Sequence, residues 1–423
     1  MDNKRRGKAL KCLCILLLIT PWLTGCWDRT EMEERGIILG LGIDTAPPEA
    51  EKHEDQITET NDPAGFPPPG EEMIKVTAQV AVPGRVPLGP GQGGSQGGGG
   101  GGSQKPVWAI QVMGHTLEDA LQNLQQQVAQ QLYLGHLRIV VVSEELAKRG
   151  LKENLDLLMR DPEIRKSSYL LVSRGPASKA LAVAPPLERV PTLYLSGLMD
   201  HAVQTGRFPQ SFIGNFFTAY AAKGKEGYLP YVQPKGGNKP DSEIDIEIDG
   251  LAYFVGDKMV GHTEPVEVAR FMEVIGIGAA GYSVSVPVPG QQGNVMIRKT
   301  ERAQKPFVEI RRGKPLVHVF IHVEGELDAK SNQQIKINST QTLQSVRKGL
   351  SRRLQRINAQ FVQDLQKEGS DIFGFGEQVR AQEPEYWNRH VRTREKWRQV
   401  FKNELQVKVT VTSSIRRTGM RER

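Results

Sequence analysis

Stretches of period two and of period 3.6 take turns along this chain. Arg35 to Asp44 is a continuous apolar run between charges, the pattern of a strand buried on both faces, with Gly36, Gly40 and Gly42 at close-packed backbone positions. Residues 73–82 alternate and predict a second strand, and Val107 to Val112 predict a third. Thr116 and Asp119 resemble a capping box that opens a helix to about Gln131, with Leu117, Leu121, Leu124 and Val128 on one stripe and the glutamines on the wet face. His136 to Val142 then reads as an interior strand, Ser143-Glu144-Glu145 as a helix start, Leu151 to Met159 as another helix, and Ser168 to Val172 as a returning strand. Strands alternating with helices predict a mixed α/β layer.

The pattern breaks between Gly197 and Lys239, where Gly, Pro and aromatic residues scatter without period. Order resumes at Ile244 with a strand to Phe254, a Gly256-Asp257 turn and a return over Lys258 to Gly261, which is a hairpin. Thr263-Glu264-Pro265 starts a helix over Val266 to Ile275. Residues 294–310 and 315–325 form two strands around a tip at Arg311-Arg312-Gly313-Lys314. Leu343, Val346, Leu350, Leu354, Ile357, Phe361 and Leu365 recur every three or four residues, so a long amphipathic helix lays one stripe on a sheet. An aromatic-bearing helix with Tyr386, Trp387, Trp397 and Phe401 follows, and Leu405 to Ile415 alternates as a last strand with one wet face. The fold class is α+β: several domains of mixed α/β, mainly antiparallel or mixed sheets packed against helices, the C-terminal one carrying the long helix and the final strand. Residues 35–196 make an N-terminal α/β domain, 197–245 a connection or small second domain, 246–416 a C-terminal α/β domain and 417–423 a polar tail.

Two stretches interrupt this order. Residues 46–72 are rich in Pro, Glu, Asp and Gly and form an exposed loop, and the Gly-rich 88–104 segment is a disordered hairpin insertion. Its Gly91 and Gly93 are followed by no helix and no Lys-Ser or Lys-Thr pair, so the geometry of a phosphate loop is missing.

The first residues are different in kind. Residues 1–11 are basic, 12–24 are apolar, and small Gly25 precedes Cys26, which is the order of a secretory signal peptide. The apolar run is shorter than the about 20 residues a membrane span needs. Leu23-Thr24-Gly25-Cys26 looks like a bacterial lipobox, which makes 1–25 a signal peptide, Cys26 the lipidated first residue of the mature chain and 26–34 an anchor segment. The alternatives are an uncleaved signal anchor or an ordinary secretory signal with a chance cysteine. The three cysteines are Cys12, Cys14 and Cys26, so the body has no disulfide framework, cysteine zinc site or thiol nucleophile. Five basic leader residues against Asp2 account for +4 of the formal +7, leaving a weak +3 with no aromatic-interleaved basic module, and nucleic acid is not an expected partner.

Candidate chemistry in the body is thin. No serine lies in a nucleophile elbow. Asp245, Glu247 and Asp249 alternate with Ile244, Ile246 and Ile248, which puts the carboxylates on the wet side of a strand. His318 and His322 share a strand face, but four residues of strand separate their Cα atoms by about 13 Å, too far for one metal ion. Arg347, Lys348, Arg352, Arg353 and Arg356 lie off the helix stripe, either as a solvated face or as a contact for anionic headgroups or an acidic partner. Trp387 and Trp397 serve as core anchors or as interface aromatics.

Taken in order, Cys26-Trp27-Asp28-Arg29 with Leu39-Gly40-Leu41-Gly42-Ile43-Asp44, Gly135-His136-Leu137-Arg138 with Ser143 to Ala147, and Arg160-Asp161-Pro162-Glu163-Ile164-Arg165 resemble the Ger(x)C spore germination lipoproteins. The likeness continues through Gly250 to Phe254, Lys258 to Gly261, Ser370 to Gly376, Pro384, Trp387, Trp397, Phe401 and Ile415 to Gly419. Members of that family are the C subunits of bacterial germinant receptors. The resemblance implies a multi-domain mixed α/β lipoprotein without catalytic centre or cofactor, carrying diacylglycerol and an N-acyl chain such as palmitate on Cys26. It implies a place on the outer face of the spore inner membrane, with integral membrane A and B subunits and other germination proteins as partners. No ligand-contact residue transfers with it. A solute-binding lipoprotein that itself captures a small germinant between domains is the alternative, and a hydrolase of cortex peptidoglycan ranks last.

Overall fold

A computed structural model describes residues 34–48, 73–82, 106–154, 156–183, 188–236, 244–278, 282–337 and 339–416. Cys26 and its leader, most of the 46–72 loop, the Gly-rich 88–104 insertion and the tail after Arg416 lie outside them.

The first half is built on one mixed sheet. Its elements in order are β1 (Arg35–Thr45), β2 (Ile74–Ala81), β3 (Val107–Gly114), α1 (Leu117–Gln125), β4 (Gln131–Tyr133), β5 (Ile139–Ser143), α2 (Glu144–Arg149), α3 (Asp156–Arg160), β6 (Tyr169–Ser173), α4 (Ala177–Ala180), α5 (Pro191–Gln204), α6 (Ile213–Ala221), β7 (Tyr228–Gly236), β8 (Ile244–Val255) and β9 (Lys258–His262). The strands run in the order β3-β2-β1-β5-β6-β7-β8-β9, with β4 beside the start of β1. Pairing is parallel across β1-β5-β6-β7 and antiparallel towards both edges. Every residue of β5 is buried, and the period of two splits it. Val140 and Val142 join one core with Leu117, Leu124 and Phe216, while Ile139 and Val141 join another with Leu195, Met199 and Phe271. Each such fully buried Val or Leu contributes about 1.5–3 kcal/mol.

The second half begins with α7 (Pro265–Ile275) and forms a smaller sheet from β10 (Ser283–Pro287), β11 (Asn294–Arg311) and β12 (Lys314–Lys330). The β11–β12 tip is a two-residue turn in which Arg312 and Gly313 take φ of 52° and 77°, the primed turn that suits the twist of a hairpin. The long helix α8 (Thr340–Glu368) is capped by Ser339 Oγ, which accepts from Thr342 N, and ends at left-handed Gly369. Then come α9 (Phe375–Gln382), α10 (Pro384–Tyr386), a π turn over Trp387–Val391, α11 (Arg394–Asn403) and β13 (Gln406–Arg416), which pairs parallel to β12 and packs on α8. Val346, Leu350 and Leu354 of the predicted stripe lie in the second sheet's core, whereas Phe361 and Leu365 lie in the first sheet's, so one helix spans both units.

Three expectations are corrected. The helix from Thr116 stops at Gln125, because the Gln125 side chain donates to the carbonyls of Val128 and Gln130 and accepts from Leu132 N, turning the chain into β4. Part of 197–245, expected as a connection or small second domain, is built from the end of α5, from α6 and from β7, the last paired with the first sheet. Its unperiodic aromatics lie in the core or against it: Phe216 is buried on Phe254, while half-buried Phe212 packs on Tyr169 and half-buried Tyr228 on Phe271. Residues 246–262, assigned from sequence to the C-terminal domain, pair as β8 and β9 with the first sheet.

Candidate functional site

The candidate side chains do not converge. Asp245 and Glu247 are exposed, Glu247 pairing with Lys235, and Asp249 faces Arg174 at 3.5 Å. His318 Nε2 lies 3.2 Å from Glu309 Oε1, while His322 Nδ1 lies 2.9 Å from Thr412 Oγ1, so each ring is engaged on a different neighbouring strand. Among the described residues no group of three His, Cys, Asp or Glu could hold a metal ion. Arg347, Lys348, Arg352, Arg353 and Arg356 are exposed along α8, and Arg353 donates to the Ser285 carbonyl. Trp387 and Trp397 are buried with ring centroids 5.6 Å apart.

Trp397 belongs to a joint between the units. After α8 ends, Ser370 Oγ donates to the Phe254 carbonyl of β8 at 2.6 Å. Asp371, 1% exposed, accepts from Gly374 N and Phe375 N on one oxygen and from Gly376 N and Trp397 Nε1 on the other, at 2.9–3.1 Å. Burial pushes its carboxyl up to about 6, against the pull of these four donors, so it is ionised at neutral pH. Opposite lies the loop after α6. Gly224 N donates to Glu377 Oε1 at 2.8 Å and its carbonyl accepts from Glu377 N at 3.1 Å. A Cβ on Gly376 would lie 2.5 Å from the Trp397 ring and 2.6 Å from Gly224 Cα, so only glycine permits this approach. Buried Glu226 accepts from Arg398 Nε and from Gly256 N, and Arg394 donates to the Ala222 carbonyl. Lys225 is held beside them, its ammonium pulled down by burial and up by Asp371 and Glu377. The hydrogen bonds of Asp371, Glu377 and Glu226 reach across between the units and couple them mechanically.

A second grouping lies at the opposite kind of place, at the N-terminal ends of parallel β5 and β6. Gly135 to Arg138 and Arg165 to Tyr169 form the walls of a cleft of about 210 Å³ that Ser196 and Asp200 of α5 complete. Tyr169 Oη donates to Asp200 Oδ1 at 2.7 Å, and burial together with that carboxylate pushes the phenol well above its ordinary range, keeping it a donor.

Sequence reasoning missed the partners at the joint. Ser370 to Gly376 stood out as a motif, but Gly224, Lys225 and Glu226 lie in a stretch without periodicity, and nothing local marks them.

Among the described residues no helix is long and apolar enough to cross a membrane. Residues 28–234 match a family described as "Spore germination protein N-terminal domain", and residues 249–419 match "Spore germination B3/ GerAC like, C-terminal". Spore germination protein KC of Bacillus subtilis (strain 168) is 27% identical, with 97% of each chain covered. Spore germination protein B3 of the same organism is 24% identical, with 90% of each chain covered. The crystal structure of the GerBC protein superposes with a TM-score of 0.51 at 19% identity, covering 82% of this chain and 94% of that one, which is a likeness of fold. With two matches in chain order across both units, and relatives that bear the names of germination proteins, the chain belongs to the GerAC family of spore germination proteins.

Proposed function

We propose that this protein is the lipid-anchored C subunit of a spore nutrient germinant receptor, held through Cys26 on the outer face of the spore inner membrane and acting through association with integral membrane A and B subunits. The observation that carries this reading is the order of leader, Cys26 and family match, the match starting at residue 28, two positions after the cysteine. Two long acyl chains, at about 0.8 kcal/mol per buried methylene, hold such a body on a bilayer essentially permanently. Residues 1–25 are then removed, 26–34 serve as the leash, and the folded units present surfaces rather than chemistry. The joint supports this, because two units fixed to each other offer partners one defined surface. It also disfavours capture of a solute between units, since buried side chains fill that position.

The test is recovery of the protein from solubilised dormant-spore inner membranes. Two multi-span membrane proteins should accompany it, and Cys26→Ala should move it from the membrane to the soluble fraction. Recovery of the lipoprotein alone, or normal membrane retention of the Cys26→Ala chain, would defeat the corresponding half of the reading.

A further inference from the structure

The cleft at the start of β5 and β6 has features that the joint does not explain. Arg138 and Arg165 are both exposed, and among the described residues neither guanidinium has a hydrogen-bond or ion-pair partner. Two guanidiniums without protein partners on the lining of one small cleft are free to give bidentate hydrogen bonds to a bound anion. Exposed Ser167 adds a free hydroxyl on the same wall, and the one carboxylate present, Asp200, is engaged by Tyr169.

The position of the cleft in the sheet matters equally. Arg138 N donates to the Leu39 carbonyl, and β4 pairs Arg35 with Gln131 and Ile37 with Tyr133. The cleft therefore lies level with the first residues of β1. Contacts connect the two, since the Arg35 guanidinium lies 4.4 Å from the Tyr133 ring centroid and that ring meets His136 edge-on at 5.8 Å. Arg35 is the ninth residue after Cys26, and nine residues of extended chain reach about 30 Å at most. On the anchored reading above, on which this placement rests, this end of the sheet stays within headgroup range of the bilayer.

We infer that the cleft between Gly135–Arg138 and Arg165–Tyr169 binds a phosphate group, that of an anionic phospholipid headgroup, through Arg138 and Arg165. The acyl chains would then supply attachment and the cleft would supply orientation, seating the first sheet with its β1 end against the membrane.

The test uses the mature chain from residue 26 with Cys26→Ser, which bears no acyl group, so its outcome is independent of whether Cys26 is lipidated. It should co-sediment with vesicles of mixed phosphatidylglycerol and phosphatidylcholine and not with phosphatidylcholine alone. Arg138→Gln with Arg165→Gln should lower that partition roughly tenfold with an unchanged melting midpoint, and Asp200→Asn should raise it. Arg352→Gln with Arg356→Gln, on the basic face of α8, should leave it unaltered. Equal losses in both arginine pairs would show diffuse attraction and overturn the inference, as would no loss in the first pair. Absence of vesicle binding together with a melting shift in inorganic phosphate that needs Arg138 would assign the cleft to free phosphate and overturn the headgroup. Weaker binding by Asp200→Asn would show a ligand with its own cation and overturn it as well.

Discussion

Asp371 meets four N–H donors inside the joint, whereas Arg138 and Arg165 face an open cleft with no partner among the described residues. Both lie in segments that resemble the family's motifs. At the joint Asp371, Glu377 and Glu226 are turned inward onto other parts of the chain, so their value is structural. At the cleft two exposed cations are left without a protein partner, and on the inference above an anionic headgroup supplies one. A motif built of polar residues thus says little about function until the hydrogen-bond count around each of its members is known.

The comparison breaks most readily at Trp397. Trp397→Ala deletes a 1% exposed ring and strands a hydrogen bond on Asp371, and should cost about 4 kcal/mol in urea unfolding. A loss below about 1 kcal/mol would show that the joint is not the structural element claimed for it. Asp371→Asn comes next, at about 2–3 kcal/mol near neutral pH, because an amide accepts on one atom only and its NH2 would face two N–H donors. The pH dependence of that difference sharpens the point. The folded pKa of about 6 lies above the unfolded value of 3.8, so the part of the stability linked to protonation of this carboxyl is fully present below about 4 and is lost as pH rises through about 6, leaving the pH-independent difference. The advantage of wild type over Asp371→Asn in thermal melts should shrink over that interval and be flat above it. The smallest effect belongs to the cleft, where Arg138→Gln should shift stability by no more than about 0.5 kcal/mol in the same urea assay. A larger loss would mean that this arginine is a structural residue and erase the contrast.

How much of this was legible in the sequence depends on whether the signal was local. The β5 run, the β11–β12 hairpin, the stripe of α8 and the alternation of β13 are each written in contiguous residues, and they were found. The leader and Cys26 are also a local pattern, but they lie outside the described residues. The end of α1 was not, since it depends on where one glutamine side chain points. The joint was illegible for a stronger reason. Gly224 and Glu377 meet across 153 residues, and no period or propensity in either segment announces the other. The cleft stands between these cases. Gly135-His136-Leu137-Arg138 and Arg160 to Arg165 were noticed as family-like strings, but only the parallel pairing of β5 with β6 brings Arg138 and Arg165 to one cleft.

The parallel pairing of β13 with β12 runs without a break from Leu316↔Gln406 to Glu326↔Arg416. Its partners are 90 residues apart, as His322 and Thr412 illustrate, with all of α8 between them. A chain that emerges from its N-terminus can complete the first sheet while the second still lacks its last strand. High contact order of this sort slows folding and leaves the edge of β12 exposed until the end arrives. Assembly of the second unit is therefore timed by the last segment to appear, and truncation before residue 406 should yield a protein whose first half is native and whose second half is prey to proteolysis.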